Sequence, residues 1–319
     1  MIMNRHRSFI CGIKGSKLTN AEIKFLKKYK PWGIILFSRN IKNIKQTQNL
    51  INKIKNIFNN KKYPILIDEE GGRVSRLKKF IENTTFTAEY FGNLFKSDKK
   101  KFHLYFKVYI KQISNILNTL GFNINTVPVL DLRRYKSNEI IGNRSYSKNK
   151  FIVSNIGDIC IYLFHINKIA CIMKHVPGHG ITKVDSHKKI PVVNKPTSFL
   201  LKNDFFPFKN KKCLFAMTAH IIFKKQDPIN TATHSKIMID IIRKKIGFKN
   251  LIISDDISMK ALTYSISENT KKAFKAGCNL VLHCNGKINE MSKVAENFNQ
   301  RLSPIYARSA NNSLSAGIR

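Results

Sequence analysis

The sequence predicts an α/β fold: a (β/α)8, or TIM, barrel formed by a single domain. Eight short apolar segments recur along the 319 residues, and segments with helical spacing separate most of them. Several of the eight are near-continuous runs of Ile, Val, Leu and Phe, as expected for parallel strands that are buried on both faces. Strand–helix alternation favours a parallel sheet, and eight strands is the number that closes a TIM barrel.

The eight predicted strands follow one another along most of the chain. They are Ser8–Ile13, Gly33–Phe37, Ile65–Ile67, Phe122–Leu130, Ile169–Lys174, Cys213–Thr218, Leu251–Ser254 and Asn279–His283. An open, doubly wound sheet is the alternative arrangement for such a pattern. That fold usually carries a glycine-rich phosphate loop after its first strand, and the segment Gly12-Ile13-Lys14-Gly15 lacks the third glycine of that loop.

The segments between the strands carry helix signals. Thr19 and Glu22 fit a capping box for a helix before the second strand. Gly121, Gly247 and Gly277 each precede a strand, where a left-handed residue commonly ends a helix. An apolar stripe, typical of a helix that packs on a sheet, is formed by Leu50, Ile51, Ile54, Ile57 and Phe58.

The chain shows no internal boundary. No low-complexity linker and no shift in composition divides it, so we expect one catalytic domain over residues 1–300. Residues 301–319, rich in Ser, Ala and Asn, have weak periodicity and are expected to form a loose C-terminal tail.

The chain is strongly basic, with 57 Lys and Arg against 19 Asp and Glu, a formal net charge of +38. One interpretation is a polyanionic partner, such as nucleic acid or an acidic polymer. The other is biased codon usage, because Lys, Ile and Asn are all abundant. The lysines are scattered along every segment and no nucleic-acid-binding motif is present, which favours the second interpretation and predicts no specific nucleic-acid partner.

Cysteine spacing and hydropathy indicate the compartment. The six cysteines form no CxxC pair or metal-ligand spacing, which favours small buried thiols in a reducing environment. No stretch approaches the roughly 18–20 apolar residues of a membrane span. The apolar run near the N-terminus is too short for the core of a signal peptide. We therefore expect a cytoplasmic protein that does not bind membranes. We also expect a monomer.

Ionisable residues follow five of the predicted strands. In a TIM barrel the C-terminal ends of the strands meet at one rim, where the chemistry takes place. Such residues at several strand ends therefore predict an active site. In chain order they are Asp68, Glu69, Glu70, Arg73 and Arg76; Asp131 and Arg144; Lys174 and His175; His220; and Asp255 and Asp256.

Structural roles compete with catalytic ones at these positions. Glu70 and Arg73 fit a structural ion-pair network with Asp68 as well as they fit a binding site. Asp131 is expected to brace the next loop.

Asp255 and Asp256 are neighbours, so they are not expected to point into the site together. One of them is expected to cap a helix over Ile257–Leu262.

The segment Lys174–His187, KHVPGHGITKVDSH, is the densest polar stretch of the chain. His175 and His179 are four residues apart, which suggests a metal site. Pro177 and Gly178 prevent the helix that would place the two rings on one face, and no HExxH motif surrounds them, so non-metal roles are favoured.

Asp185 and His187 lie two residues apart in the same segment. This spacing suits a carboxylate that orients an imidazole for acid/base chemistry, although a DxH pair alone is a weak signal.

Six segments together resemble, in order and spacing, the signature segments of glycoside hydrolase family 3. They are IDEEGGRVSRL (67–77), NRSYS (143–147), KHVPGHG (174–180), DSH (185–187), MTAH (217–220) and SDDISMKAL (254–262). Supporting matches are PWGIILFSRNI (31–41), VPVLDL (127–132) and AGCNLVLHCN (276–285), so the resemblance spans about residues 31–285. Within the family, the chain is most similar to the single-domain bacterial β-N-acetylglucosaminidases of peptidoglycan recycling.

This resemblance implies a TIM-barrel retaining glycosidase that needs no metal or organic cofactor. Asp255 matches the family nucleophile, and His187 matches the acid/base of this subgroup with Asp185 as its partner. The implied substrate is terminal β-linked N-acetylglucosamine on peptidoglycan fragments, the anhydro-muropeptides. The residues that match those holding the sugar ring are Asp68, Arg76, Arg144, Lys174 and His175.

The chain also departs from the family pattern. Ile181 stands where an acidic residue is common, Glu69 where other residue types are usual, and Trp32 where a small residue is usual. None of these changes removes a catalytic group. Two other functions remain open: a phosphorylase of the same architecture, because a histidine acid/base tolerates an incoming phosphate dianion, and a catalytically idle barrel that binds a polyanion.

Overall fold

A computed structural model describes residues 7–134, 140–182 and 190–297. Its centre is a closed barrel of eight parallel strands, each paired with its neighbours along the chain, and the last pairs with the first. The TIM barrel predicted from the sequence is therefore confirmed. The barrel strands are β1 Arg7–Gly12, β2 Pro31–Leu36, β3 Ile65–Ile67, β4 Ile124–Asn125, β5 Ala170–Val176, β7 Phe215–Thr218, β9 Leu251–Asp256 and β10 Leu280–His283.

Two further strands lie outside the barrel. β6 (Val192–Val193) and β8 (Ile222–Phe223) pair in parallel and link the loops that follow β5 and β7. The sequence did not predict them, because two-residue strands are too short to carry a periodic pattern.

One predicted strand is much shorter than expected. Phe122–Leu130 was predicted as a continuous strand, but ladder pairing of β4 stops at Asn125. Pro128 has no N–H to donate, so the regular ladder cannot pass through it. Its carbonyl still accepts from Lys174 N, and Val129 forms an isolated bridge with Lys174.

Helices cover the outside of the barrel. They are α1 Asn20–Tyr29, α2 Ile44–Ile57, α3 Ala88–Ser97, α4 Lys99–Leu120, α5 Lys150–Ile166, α6 Thr197–Lys202, α7 Lys236–Lys244, α8 Ile266–Ala276 and α9 Ile288–Glu296. The Thr19–Glu22 capping box is present, with both reciprocal hydrogen bonds. Gly121 and Gly277 end α4 and α8 at positive φ, as predicted, whereas α7 ends earlier, with Lys245 rather than Gly247 as its cap.

The prediction of a helix over Ile257–Leu262 is wrong. This segment is a series of turns, and the next helix, α8, begins at Ile266 with Ser265 as its cap. Asp256 does bind the backbone two residues on, accepting from Ser258 N at 3.0 Å, but this is the geometry of an Asx turn.

The core has two layers. Inside the barrel, strand side chains such as Ile10, Ile35 and Ile172 pack together, and Trp32 meets the Phe215 ring edge-on with centroids 5.4 Å apart. A larger cluster fills the space between strands and helices.

All six cysteines are free thiols, five buried and Cys284 half-buried. Within the described part of the chain, no helix is long and apolar enough to cross a membrane.

Candidate active site

A cavity of about 460 Å³ opens at the C-terminal ends of the barrel strands. Residues from seven of the eight barrel strands, or from the loops that follow them, line it. Six of the residues predicted to form the site border this one cavity: Asp68, Arg76, Arg144, Lys174, His175 and Asp255. The other two predicted site residues, Asp185 and His187, lie outside the described residues, as does the predicted tail 301–319.

Lys174 is the centre of a buried ion cluster on one wall of the cavity. Its side chain, 3% exposed, places Nζ 2.5 Å from Asp68 Oδ1 and 2.5 Å from Glu70 Oε1. Burial alone would lower the pKa of Lys174, but the two carboxylates outweigh it and raise that pKa above its ordinary value. Lys174 therefore remains an ammonium group at the cavity wall.

Two arginines complete this cluster. Arg76 Nη2 donates to Asp68 Oδ2 at 2.7 Å, and Arg144 binds Glu70 in bidentate fashion at 2.7 and 2.7 Å. Burial would raise the pKa of Asp68, but Lys174 and Arg76 hold it well below its usual range. The ion-pair network expected from the sequence exists, although its arginines are Arg76 and Arg144 rather than Arg73. Arg73 instead donates to backbone carbonyls at 140 and 141.

Glu69, which the sequence placed among the strand-end acids and marked as a departure from the family pattern, organises the loop after β3. It is 2% exposed, and its two carboxylate oxygens accept five hydrogen bonds. The donors are Gly71 N, Ser75 Oγ, Arg76 N, Leu77 N and Asn83 Nδ2. Glu69 thus holds the backbone that presents Arg76 to the cavity. The sequence shows three acidic residues in a row after this strand, and it did not indicate that the side chain of the middle one would bind its own loop.

Asp131 holds the strand end that carries His175. One carboxylate oxygen, Oδ2, lies 2.6 Å from His175 Nδ1, and the other, Oδ1, accepts from His179 N at 2.6 Å. Burial would raise the pKa of Asp131, but the two histidines and these hydrogen bonds hold it below its ordinary value. The brace expected for Asp131 is present, and it reaches the base of the Lys174–His187 loop.

The start of that loop lies against the backbone after β4. A Cβ atom on Gly180 would come within 1.9 Å of Leu132 O, so only glycine permits this approach. Burial and His175 lower the pKa of His179 to about 4, which keeps its ring neutral near neutral pH. Within residues 7–134, 140–182 and 190–297, no three His, Cys, Asp or Glu side chains are arranged to hold a metal ion.

Asp255 and Asp256 end β9 on the opposite wall. Both border the cavity, but their carboxylates have different partners. Asp256 directs its carboxylate to its own turn, where it accepts from Ser258 Oγ and Cys284 N. Asp255 Oδ1 accepts from Asp256 N at 2.8 Å. Burial would raise the pKa of Asp255, but electrostatic attraction to His220 and His175 outweighs burial and lowers that pKa below its ordinary value, so the carboxyl is ionised near neutral pH.

Sequence reasoning missed several residues that border the cavity. They are Ile140, Ile141, Met259, Lys260 and Cys284, all in loops or beyond strand ends. Met259, Lys260 and Cys284 lie in segments that resemble the family, but nothing in the sequence indicated that any of the five would line the cavity, so only the fold could identify them. They add apolar side chains, a thiol and an amine to the lining of the cavity.

The arrangement suits a neutral, hydroxyl-rich ligand. One wall offers charged hydrogen-bond donors and acceptors at fixed positions, and the opposite wall offers the ionised carboxylate of Asp255. Among the described residues, this carboxylate forms no ion pair with an arginine or lysine, although Lys174 contributes to its lowered pKa. Such a carboxylate can attack an electrophilic carbon while the charged wall holds the hydroxyl groups of the ligand.

The chain matches the family model described as "Glycosyl hydrolase family 3 N terminal domain" over residues 7–308. It is 30% identical to a β-hexosaminidase from Actinobacillus succinogenes, over 96% of this chain and 92% of that protein.

Two solved structures share the fold over nearly the whole chain. NagZ from Neisseria gonorrhoeae in complex with N-trifluoroacetyl-D-glucosamine matches with a TM-score of 0.84 and 28% identity, covering 98% of this chain and 91% of that one. A family 3 β-N-acetylglucosaminidase from Paenibacillus sp. FPU-7 matches with a TM-score of 0.86 and 25% identity. That alignment covers 99% of this chain and 62% of the Paenibacillus chain.

Proposed function

The chain is a member of glycosyl hydrolase family 3 and a glycoside hydrolase of the β-hexosaminidase type, and we propose that it is a retaining exo-β-N-acetylglucosaminidase. Its substrate would be terminal β-linked N-acetylglucosamine on peptidoglycan fragments, the anhydro-muropeptides. The observation that carries the proposal is the strand-end cavity, in which the ionised Asp255 lies across from the cluster around Lys174.

In the proposed reaction, a carboxylate oxygen of Asp255 attacks the anomeric carbon while the bond from that carbon to the aglycone oxygen breaks. His187, oriented by Asp185, gives its proton to the departing oxygen. His187 then takes a proton from water, whose oxygen displaces Asp255 and releases the sugar with retained configuration. The roles of His187 and Asp185 rest on the DSH resemblance, because both lie outside the described residues.

A histidine suits this role because it titrates near neutral pH and is uncharged after it gives up its proton. It therefore repels an anionic aglycone or an incoming anion less than a second carboxylate would.

We assign sugar binding to the wall of the cavity that carries the ion cluster around Lys174. Asp68 and the ammonium of Lys174 supply an acceptor and a donor for ring hydroxyls. Arg76, Arg144 and His175 supply further polar groups around them. The gonococcal relative binds N-trifluoroacetyl-D-glucosamine, and we propose that the cavity described here takes the unmodified N-acetyl sugar. No cofactor enters the proposed mechanism.

The proposal also covers the location, the oligomeric state and the domain bounds of the enzyme. We propose a cytoplasmic monomer whose catalytic domain spans residues 1–300, followed by a tail over residues 301–319. The five buried free thiols support a reducing compartment. Size-exclusion chromatography with light scattering measures the oligomeric state directly.

The direct test is hydrolysis of an aryl β-N-acetylglucosaminide. We expect the wild-type protein to release the aryl alcohol and Asp255→Ala to release none above background, since no carboxylate remains to attack. Asp240→Ala, which removes an exposed carboxylate on α7, serves as control and should retain full activity. A wild-type protein without activity would refute the proposed function, whereas an active Asp255→Ala variant would refute only the nucleophile.

The phosphorylase alternative is decided by the product. We expect free N-acetylglucosamine as the sole sugar product, both with and without inorganic phosphate. Formation of N-acetylglucosamine 1-phosphate when phosphate is added would show that the enzyme is a phosphorylase.

A further inference from the structure

His220 lies two residues beyond the end of β7 and is buried next to the end of β9, the strand that carries Asp255. Its side chain is 1% exposed, and both ring nitrogens have hydrogen-bond partners. Nδ1 lies 2.7 Å from the Thr233 hydroxyl, and Nε2 lies 3.0 Å from the backbone carbonyl oxygen of Asp256. The Thr233 hydroxyl is in turn 2.8 Å from the Thr218 hydroxyl.

These partners determine which nitrogen carries the proton. The carbonyl of Asp256 can only accept, so Nε2 must carry a hydrogen and donate it. Burial lowers the pKa of His220, so its ring is neutral near neutral pH and Nδ1 accepts from the Thr233 hydroxyl. Thr218 then donates to Thr233. The chain of hydrogen bonds runs in one direction and ends at the Asp256 carbonyl.

That carbonyl belongs to the residue directly after the predicted nucleophile. The Asp256 N–H is already bound by Asp255 Oδ1, and the Asp256 carboxylate is bound by Ser258 and Cys284 N. The Asp256 carbonyl accepts from His220 and also, within its own turn, from Met259 N at 3.0 Å. The His220 bond is the one that ties this carbonyl to the end of another strand, and without it the backbone that orients the Asp255 side chain keeps only the local bond.

We propose that His220 is a positioning residue for the glycosylation step: its Nε2–H anchors the Asp256 carbonyl and thereby aims the Asp255 carboxylate at the anomeric carbon. The role rests on the proposed function, because it requires Asp255 to be the nucleophile. Within the described part of the chain, His220 does not line the cavity, so we do not expect it to contact the sugar. Its loss should therefore slow the chemistry and leave sugar binding intact.

Three substitutions separate this role from packing. His220→Asn keeps a polar group near Nδ1 but has nothing at the position of Nε2, whereas the longer His220→Gln can place an amide N–H near that position. His220→Ala removes both. The matched control is His283→Asn, because His283 is a fully buried histidine at the end of β10 that binds Glu290 of α9 at 3.0 Å, outside the cavity.

The measurements are kcat/KM on an aryl β-N-acetylglucosaminide, the inhibition constant of N-acetylglucosamine, and the unfolding midpoint of each variant. We expect kcat/KM to fall about 10–100-fold in the Asn and Ala variants, as misplacement of a reacting group by an ångström can cause. The inhibition constant should change less than about twofold, because uniform binding is unaffected. Gln should recover most of the lost rate, and His283→Asn should retain the wild-type rate.

Several outcomes would overturn the proposal. They are an unchanged kcat/KM in His220→Asn, equal losses in the Gln and Asn variants, or a weakened inhibition constant that accounts for the loss. If the Asn and Ala variants do not fold, Thr233→Val provides the test, because it removes only the hydroxyl that orients the His220 ring. This variant must then lower kcat/KM and leave the inhibition constant unchanged. Otherwise the proposal fails. A wild-type protein that does not cleave the substrate refutes the proposed function itself.

Discussion

Three consecutive acidic residues at the end of β3 have three different environments. Asp68 faces the cavity and binds Lys174 and Arg76, Glu69 turns inward and binds its own loop, and Glu70 binds Arg144. Alternation along a strand sends neighbouring side chains to opposite faces, and this separates the middle residue from its neighbours. The sequence indicated a polar strand end but not which acid would serve the loop, because that choice depends on donors distributed over residues 71–83.

The sharpest prediction at the residue scale concerns His187, the predicted acid/base. His187→Ala should lower kcat/KM about 10²–10⁴-fold on a disaccharide, whose alkoxide leaving group needs a proton. The loss on an activated aryl glycoside should be far smaller, because an aryl oxide departs without protonation. Asp255→Ala provides the contrast, since it should abolish turnover of both substrates. Equal losses on both substrates in His187→Ala would contradict the assignment.

Asp131 should make the folded protein sensitive to acid. Its pKa is held below the unfolded value of about 3.9. The stabilisation it provides is therefore complete above about pH 5 and is lost as pH falls below about 4. We expect the difference in unfolding free energy between wild type and Asp131→Asn to shrink over that range, as measured by urea unfolding from pH 7 to pH 3.

Asp204→Asn is the control for this pH dependence. Asp204 is a second buried carboxylate, bound by Arg134, but burial raises its pKa above the ordinary value. The same linkage then has the opposite sign, so the difference between wild type and Asp204→Asn should grow as pH falls. Parallel curves for the two variants would contradict the assignment of Asp131.

At the scale of elements, the strands could be predicted and the connections could not. A buried parallel strand is a run of apolar residues with little ambiguity, so all eight barrel strands were located. The exceptions were places where a single residue overrode the pattern. Pro128 interrupted the β4 ladder, and the Asx turn of Asp256 replaced a helix. The loop after β3 depends on the bonds of Glu69 to donors spread over residues 71–83, and the loop after β5 depends on the distant contacts of Asp131. Neither set of contacts has a recognisable sequence pattern.

The loop after β3 tests this view of the connections. Glu69→Gln replaces an oxygen that accepts hydrogen bonds with an amide that donates them, so at least one buried donor loses its partner. We expect a loss of about 1.5–3 kcal/mol in unfolding free energy, the usual value for hydrogen bonds to a charged group. A weaker inhibition constant for N-acetylglucosamine should accompany it, because Arg76 is displaced.

Glu82→Gln is the matched control on the same loop. Glu82 is exposed, and among the described residues its carboxylate binds Thr84. This variant should match the wild type in unfolding free energy and in the inhibition constant. If Glu69→Gln behaved in the same way, the organising role of Glu69 would be refuted.

At the scale of the whole molecule, the net charge of +38 is the property that the fold does not explain. The barrel needs its apolar strands and the site needs a handful of cations, such as Lys174, Arg76 and Arg144. Most of the 57 basic residues serve neither purpose. Like charges at this density repel one another in the compact state and oppose folding.

This repulsion predicts that salt stabilises the protein. Raising NaCl from about 20 to about 300 mM shortens the screening length from roughly 20 to roughly 6 Å, so the unfolding midpoint should rise. Sodium glutamate at equal ionic strength should produce the same rise if screening is the cause. A larger effect of one anion would instead indicate a bound anion and favour the polyanion-binding alternative. That alternative also predicts binding to a single-stranded oligonucleotide that persists at physiological salt, whereas a charge excess of purely compositional origin predicts binding that disappears there.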